Sequence, residues 1–120
     1  MEKTKTMDIR KIGLIIKPGD FEWATTHAQN PFPEHLGGVL YKIHFSGRDP
    51  LGRAQGGYVK IDLKNPKEIL YTSSEPTLSL GDLGCFDDCG AMPSCIVDVG
   101  DEQYMYFTGW TQSKTTPFSF

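Results

Sequence analysis

No stretch of this sequence carries the three- and four-residue apolar spacing of an amphipathic helix. The longest apolar run, Gly13 to Ile16, falls far short of the ~20 residues that a membrane span needs, so no membrane partner is expected. Positive charge is not in excess either. Twelve Lys and Arg stand against 15 Asp and Glu, a formal net charge of -3, and the basic footprint of a nucleic-acid binder is missing. The N-terminus, Met-Glu-Lys-Thr-Lys-Thr, is charged with no apolar core behind it. No secretory leader is read there, and a cytoplasmic protein is expected. Cysteine is scarce and odd in number, which suggests reduced thiols: Cys85, Cys89 and Cys95. Their C-x3-C-x5-C spacing matches no zinc pattern and leaves the fourth ligand unsupplied, so neither a metal nor any other cofactor is expected.

What the chain does have is glycine, proline and aromatics, the residues of tight turns and strands. An apolar share of 38% with 22% charged residues suits a soluble globular chain, and 120 residues fit one small domain or a piece of one. The strongest pattern is a repeat. Pro31, Gly38, Phe45, Ser46 and Gly47 recur as Pro93, Gly100, Phe107, Thr108 and Gly109, each pair 62 residues apart without a gap. A glycine turn leading into a Tyr/Phe-rich run that ends in Phe-Ser/Thr-Gly reads as a hairpin. Long-period self-similarity in an all-β sequence points to a propeller or a solenoid. Two units are too few to close a propeller, so an incomplete one is expected.

Antiparallel strands are expected at Val39–Phe45, Tyr58–Leu63, Ile96–Val99 and Gln103–Phe107, the last two within a hairpin spanning Met92 to Thr108 and turning at Gly100-Asp101. The two hairpins should superpose. Ile69 to Thr72 reads as a short edge segment and Lys11 to Lys17 as a short strand ended by Pro18-Gly19. The stretch that runs to Pro31 and Pro33 reads as polar and is given no strand, while the charged Gly47 to Gly57 and the Asp-rich Gly81 to Gly90 read as loops.

Four clusters carry candidate chemistry. Trp23, His27, Gln29 and Asn30 precede the first repeat, and Ser46-Gly47-Arg48-Asp49 end it. Phe86-Asp87-Asp88 with Gly90 precede the second, and Thr108-Gly109-Trp110 end it. The offset pairs them: Thr26 with Asp88, His27 with Cys89, Asp49 with Thr111. In a propeller such points converge near the central channel. Carboxylates, a guanidinium, an amide and an indole face are what a sugar's hydroxyls and ring face require. Each has a plainer reading. Asp-rich loops serve turns, Arg48-Asp49 can be a local ion pair, Trp23 and Trp110 can be core, and His27 can be structural.

The run HAQNP, then YxxxFSGRDxxGRAQGGYVxID, LxxGDLGxFDDxGxMPSxIV and YxYFTGW resembles a glycosidase-like group of five-bladed β-propellers. That group is related to the arabinanase/xylosidase-type glycoside hydrolases and the mannoside phosphorylases. The resemblance covers Trp23 to Trp110. It implies an all-β fold holding about two of five antiparallel blades: a lead-in with an N-terminal strand over 1–22, a first blade over 23–80 and the start of a second over 81–120. It implies a carbohydrate ligand, and the uncovered faces and edges of an unclosed propeller call for either self-association or a further polypeptide supplying the missing blades. In the relatives a first-blade acid is the general base, a second-blade acid orients the general acid, and a later glutamate is that acid. Here the first position reads Gln29-Asn30-Pro31, without a carboxylate. Asp88, before Gly90-x-x-Pro93, matches the second acid, with Asp87 beside it. The later glutamate has no counterpart. Glycoside hydrolysis uses two carboxylates, so the chain alone is expected to be inactive, with His27, Asn30, Arg48, Asp49 and Trp110 contacting the sugar. A glycan-binding or assembly module is the alternative.

Overall fold

The computed structural model describes residues 3–120. All its regular structure is β: β1 His27–Gly37, β2 Leu40–Arg48, β3 Ala54–Asp62, β4 Ile69–Thr72, β5 Gly90–Val99 and β6 Glu102–Trp110. Strands β1 to β4 form an antiparallel meander, and β5–β6 is a second antiparallel hairpin. The sheet is open and its order is β1-β2-β3-β5-β6, with β4 on β3. Its pairing is mixed, which departs from the all-antiparallel expectation. The segment after β4 carries the chain back to the start of β3, so β5 sets off in the same direction and meets β3 in parallel at Ala54 and Gly90.

The 62-residue offset holds in three dimensions. It carries β2 onto β6 end for end, and β1 onto β5 to within one residue at the start. Both hairpins turn on a glycine with positive φ at the first turn position, Gly38 (55°) and Gly100 (61°), where a Cβ would be strained. Both first strands bulge next to the aligned proline, between Gln29 and Phe32 and between Pro93 and Cys95. A Cβ on Gly47 would run into Ala24, and one on Gly109 into Phe86. Those four residues form two contacts 62 apart. Gly19-Asp20 and Gly81-Asp82, again 62 apart, open the lead-in loop of each hairpin.

Alternation along β2 and β3 divides the meander into two faces. Phe45, Val59 and Ile61 point to one, where Phe21, Trp23 and Ala24 from the lead-in loop complete the buried cluster. The rings of Phe21, Trp23 and Phe45 lie 4.9–5.6 Å apart, and Trp23 Nε1 donates to the Ser73 carbonyl at 3.2 Å. Trp23 is therefore core. Gly57 is small because its Cβ would strike the Trp23 ring. The other face carries His44, Ser46, Arg48, Gly56 and Tyr58, and β5–β6 lies over it. Pro93 sits against Gly56, Gln103 reaches Glu34, and Trp110 stacks near Arg48.

Three sequence readings change. Lys11 to Lys17 is not a strand. Only Ile15 and Ile16 reach the core, while Ile12 and Leu14 stay exposed, and among the described residues no strand pairs with this segment. The polar stretch before Pro31 and Pro33 is a strand, β1. It lies at the sheet edge, where a missing proline N–H costs no ladder bond. The Gly47 to Gly57 loop shrinks to residues 49–53, because Gly56 and Gly57 are β3 positions kept bare for Pro93 and Trp23.

Candidate functional site

One row of paired residues crosses the sheet: His27 pairs with Arg48, Arg48 with Ala54, Ala54 with Gly90, and Gly90 with Trp110. This row places the start of β1, the end of β2 and the end of β6 at one end of the molecule. Asp49, Asp87, Asp88 and Thr111 flank it in sequence. The loops there are tied to the row through its backbone. Thr25 and Thr26 N–H donate to the Arg48 carbonyl at 2.8 and 3.2 Å, Ala54 N–H to the Cys89 carbonyl at 3.1 Å, and Cys89 N–H to the Trp110 carbonyl at 3.2 Å.

Asp88 is held on both carboxylate oxygens. Thr111 Oγ1 donates to Oδ1 at 2.6 Å, and Gly84 N–H donates to Oδ2 at 2.9 Å. These bonds, the Thr111 one foremost, with a further one from Cys89, hold its pKa below the usual aspartate value. The offset equivalents, Thr26 and Asp49, form no such bond: Thr26 Oγ1 donates to the Arg48 carbonyl, and Asp49 accepts from Leu51 and Arg53. Asp87 is half-buried. Its side chain lies against the bare backbone of Gly81 and its Cβ against Gly109.

Trp110 is 1% exposed. Arg48 Cζ lies 5.6 Å from its ring centroid, and Phe118 meets it edge-on at 4.9 Å. Gly90 is bare because a Cβ there would enter the indole. The indole therefore serves as a floor beneath Arg48 rather than as an open platform. Phe118 reaches this position because residues 111 and 119 pair and fold the following segment back. The Arg48 guanidinium has no carboxylate partner among the described residues, and its Nε is buried without an acceptor.

Asp49 faces the other way in its chemistry. Oδ2 takes Arg53 Nε and Nη2, both at 2.8 Å, and Oδ1 takes the N–H groups of Leu51 and Arg53 at 3.0 and 2.9 Å. Its ion pair is with Arg53, not Arg48, and it builds the turn between β2 and β3. His27 is exposed, its Nδ1 2.9 Å from Thr26 Oγ1. Asn30 is exposed with φ 53°, and its amide points to Met92 Sδ at 3.9 Å. Between these two hairpin starts lies a cavity of about 220 Å³ lined by Asn30, Pro31, Phe32, Met92, Thr108 and neighbours.

A second cluster went unread in the sequence. His44, 3% exposed, donates from Nε2 to Glu34 Oε2 at 2.7 Å, and Gln103 Nε2 donates to Glu34 Oε1 at 3.0 Å. Burial pushes the Glu34 carboxyl up, but the bonds from His44 and Gln103 and the charges of Lys42 and His44 outweigh it and leave the pKa lowered. Phe32 stacks on His44 at 4.8 Å. Glu34 and His44 sit on neighbouring strands, so spacing along the chain could not pair them. The one available signal was a histidine amid the alternating apolar residues of β2. His44 Nδ1 and Ser46 Oγ, like Arg48 Nε, are buried without protein partners, and all three lie on the β2 face that β5–β6 covers.

The chain is 42% identical over 110 residues to each of two proteins of Mycobacterium tuberculosis, the uncharacterized protein MT1551 of strain CDC 1551 and the uncharacterized protein Rv1502 of strain H37Rv. The match takes in 91% of this chain and 37% of each relative, so the chain spans little more than a third of the length of these curated relatives. No family profile and no solved structure matches it.

Proposed function

We propose that this chain is part of a carbohydrate-active, glycosidase-like β-propeller, contributing a first blade and the start of a second. Glycoside hydrolysis or a related glycosyl transfer would then require further blades, supplied by additional polypeptide or by self-association. The observation that carries this reading is the row from His27 to Trp110. His27, Arg48 and Trp110 lie in it and Asp88 beside it, the groups expected from the repeat, and for Asp88 from the resemblance, to face the sugar. The recurrence of strands, turn glycines and glycine contacts at a spacing of 62 supports repeated blades, and the much longer relatives leave room for more of them.

Asp88 fits an orienting carboxylate and not a proton donor. A carboxyl held below its ordinary pKa is ionised at neutral pH, so it accepts hydrogen bonds and stabilises positive charge nearby. Arg48 brings uncommitted donors. Asp49 is spent on Arg53 and leaves the sugar-facing set in this reading. The pair of carboxylates that straddles a glycosidic bond is then completed from outside this chain.

The test is calorimetry and a glycosidase assay with arabinosides, xylosides and mannosides on the assembled propeller, comparing Asp88→Asn and Asp88→Ala with the parent. Both variants should fold and lose about tenfold or more in binding or turnover. Variants indistinguishable from the parent, with a sugar that demonstrably binds, would reduce Asp88 to a turn residue. Binding without turnover in any assembled form would favour the glycan-binding alternative.

A further inference from the structure

The sheet has free edges at β1, β4 and β6 and along the outer side of β5 beyond Gly90, which Pro93 and a bulge interrupt, and they differ in how they are guarded. Edge strand β1 carries Pro31 and Pro33, two bulges and the positive-φ Asn30. Edge strand β4 is only four residues long. Prolines, bulges and shortness are the devices that keep an edge from recruiting another strand. β6 has none of them. It is nine residues long, EQYMYFTGW, without proline or lysine, and among the described residues it pairs with β5 alone. Tyr104 and Tyr106 are 48% and 60% exposed along it.

The internal repeat states what belongs on that edge. β6 is β2 carried forward by 62 residues, and β2 has β3 on its far side, paired antiparallel from Leu40–Asp62 to Arg48–Ala54. The β5–β6 hairpin has no such third strand. Residue 116 stands 62 after Ala54, at the offset where one would begin, but the chain there folds back on Thr111 through Ser119 and leaves β6 open. That fold-back also holds the following segment beside the Trp110 end of β6, the end at which an antiparallel strand would enter.

We infer that the free edge of β6 is a strand-docking site whose occupant is a β3-like strand, antiparallel to β6 and in the register β3 holds on β2. The occupant comes from the additional polypeptide that the relatives' greater length accommodates, not from a second copy of this chain. In a second copy β3 is already paired on both sides, to β2 and β4. The docked strand would satisfy the outward N–H and C=O groups of β6 and extend the second hairpin toward the four-stranded form of the first. This site stands on the repeat and the edge geometry, and is independent of the sugar reading.

A tether makes the test insensitive to weak affinity, because it converts docking into an intramolecular event. A second copy of residues Arg53–Leu63 is appended after Phe120 through a Gly/Ser linker, with a scrambled version as control. Amide hydrogen exchange is followed across β1 to β6 at low and high chain concentration. The expected result is about tenfold or greater slowing over Glu102–Trp110 with the native-order tether only, and no change in β1. If the tethered chain loses protection in β2 and β3, the same peptide added separately at high concentration gives the same comparison. Unchanged β6 exchange overturns the inference, as does equal slowing by the scrambled strand. So does a rise in β6 protection with the concentration of the untethered chain that matches the native-order tether and spares β5, since edge pairing by a second copy, and not cover of the hairpin's apolar face, would then account for it.

Discussion

Glu34 shows how this molecule spends its polar side chains. It lies on β1, takes hydrogen bonds from His44 on β2 and Gln103 on β6, and so ties the second hairpin to the first. Its folded pKa is below the ordinary value, so the unfolded chain binds more protons in acid. The stabilisation is therefore present above the usual glutamate range and is lost as pH falls through the lowered folded value. Urea melts from neutral pH down to about pH 3 should show that acid loss in the parent and a shallower one in Glu34→Gln. Equal slopes would mean the tie does not form. His44→Ala should cost about 1 kcal/mol or more, through the lost hydrogen bond to the part-buried Glu34. Arg48 and Phe118 offer a second check at this scale. Phe118→Ala should uncover Trp110 and make its fluorescence quenchable by iodide, whereas no change would show that the indole is shielded without that contact.

At the scale of elements, the glycines at the repeat contacts bear the strictest demand. Gly47→Ala and Gly109→Ala each place a methyl into Ala24 or Phe86, and overpacking of this kind costs about 1–3 kcal/mol. The two costs, read from denaturant melts, should be similar, because the contacts are equivalent members of one repeat. A near-zero cost at either site would break that equivalence. These elements were legible in the sequence to different degrees. β2, the second half of β3, and β6 announce themselves by alternation, and the offset locates the second hairpin. β1 was hidden by Pro31 and Pro33, which deny a central strand but suit an edge. The first half of β3 was hidden by Gly56 and Gly57, whose reason is the distant bulk of Pro93 and Trp23. In the candidate site, the shared end of Arg48, Asp88 and Trp110 followed from the repeat. The Asp49–Arg53 pairing and the Glu34–His44–Gln103 tie did not, because turn geometry and strand register set them rather than spacing.

As a whole molecule the chain is a four-stranded meander plus a hairpin, with its aromatic core on one side and an open hairpin surface on the other. Phe86, Val97, Val99, Tyr104, Tyr106 and Phe107 are all more than a third exposed on or beside β5–β6. Apolar groups gathered on one element of an open sheet seek cover. The isolated chain should accordingly associate at micromolar concentration in light scattering. A clean monomer with one cooperative unfolding transition would show that the hairpin surface is content in water.

The row from His27 through Arg48, Ala54 and Gly90 to Trp110 is proposed as the sugar-facing end. Its most direct test is NMR of the isotope-labelled chain within the assembled propeller, titrated with a glycoside that the assembly binds. Shift changes should concentrate at His27 to Asn30, Arg48, Asp88 to Gly90 and Trp110-Thr111. Changes concentrated instead around the Gly38 and Gly100 turns, at the opposite end of both hairpins, would contradict it.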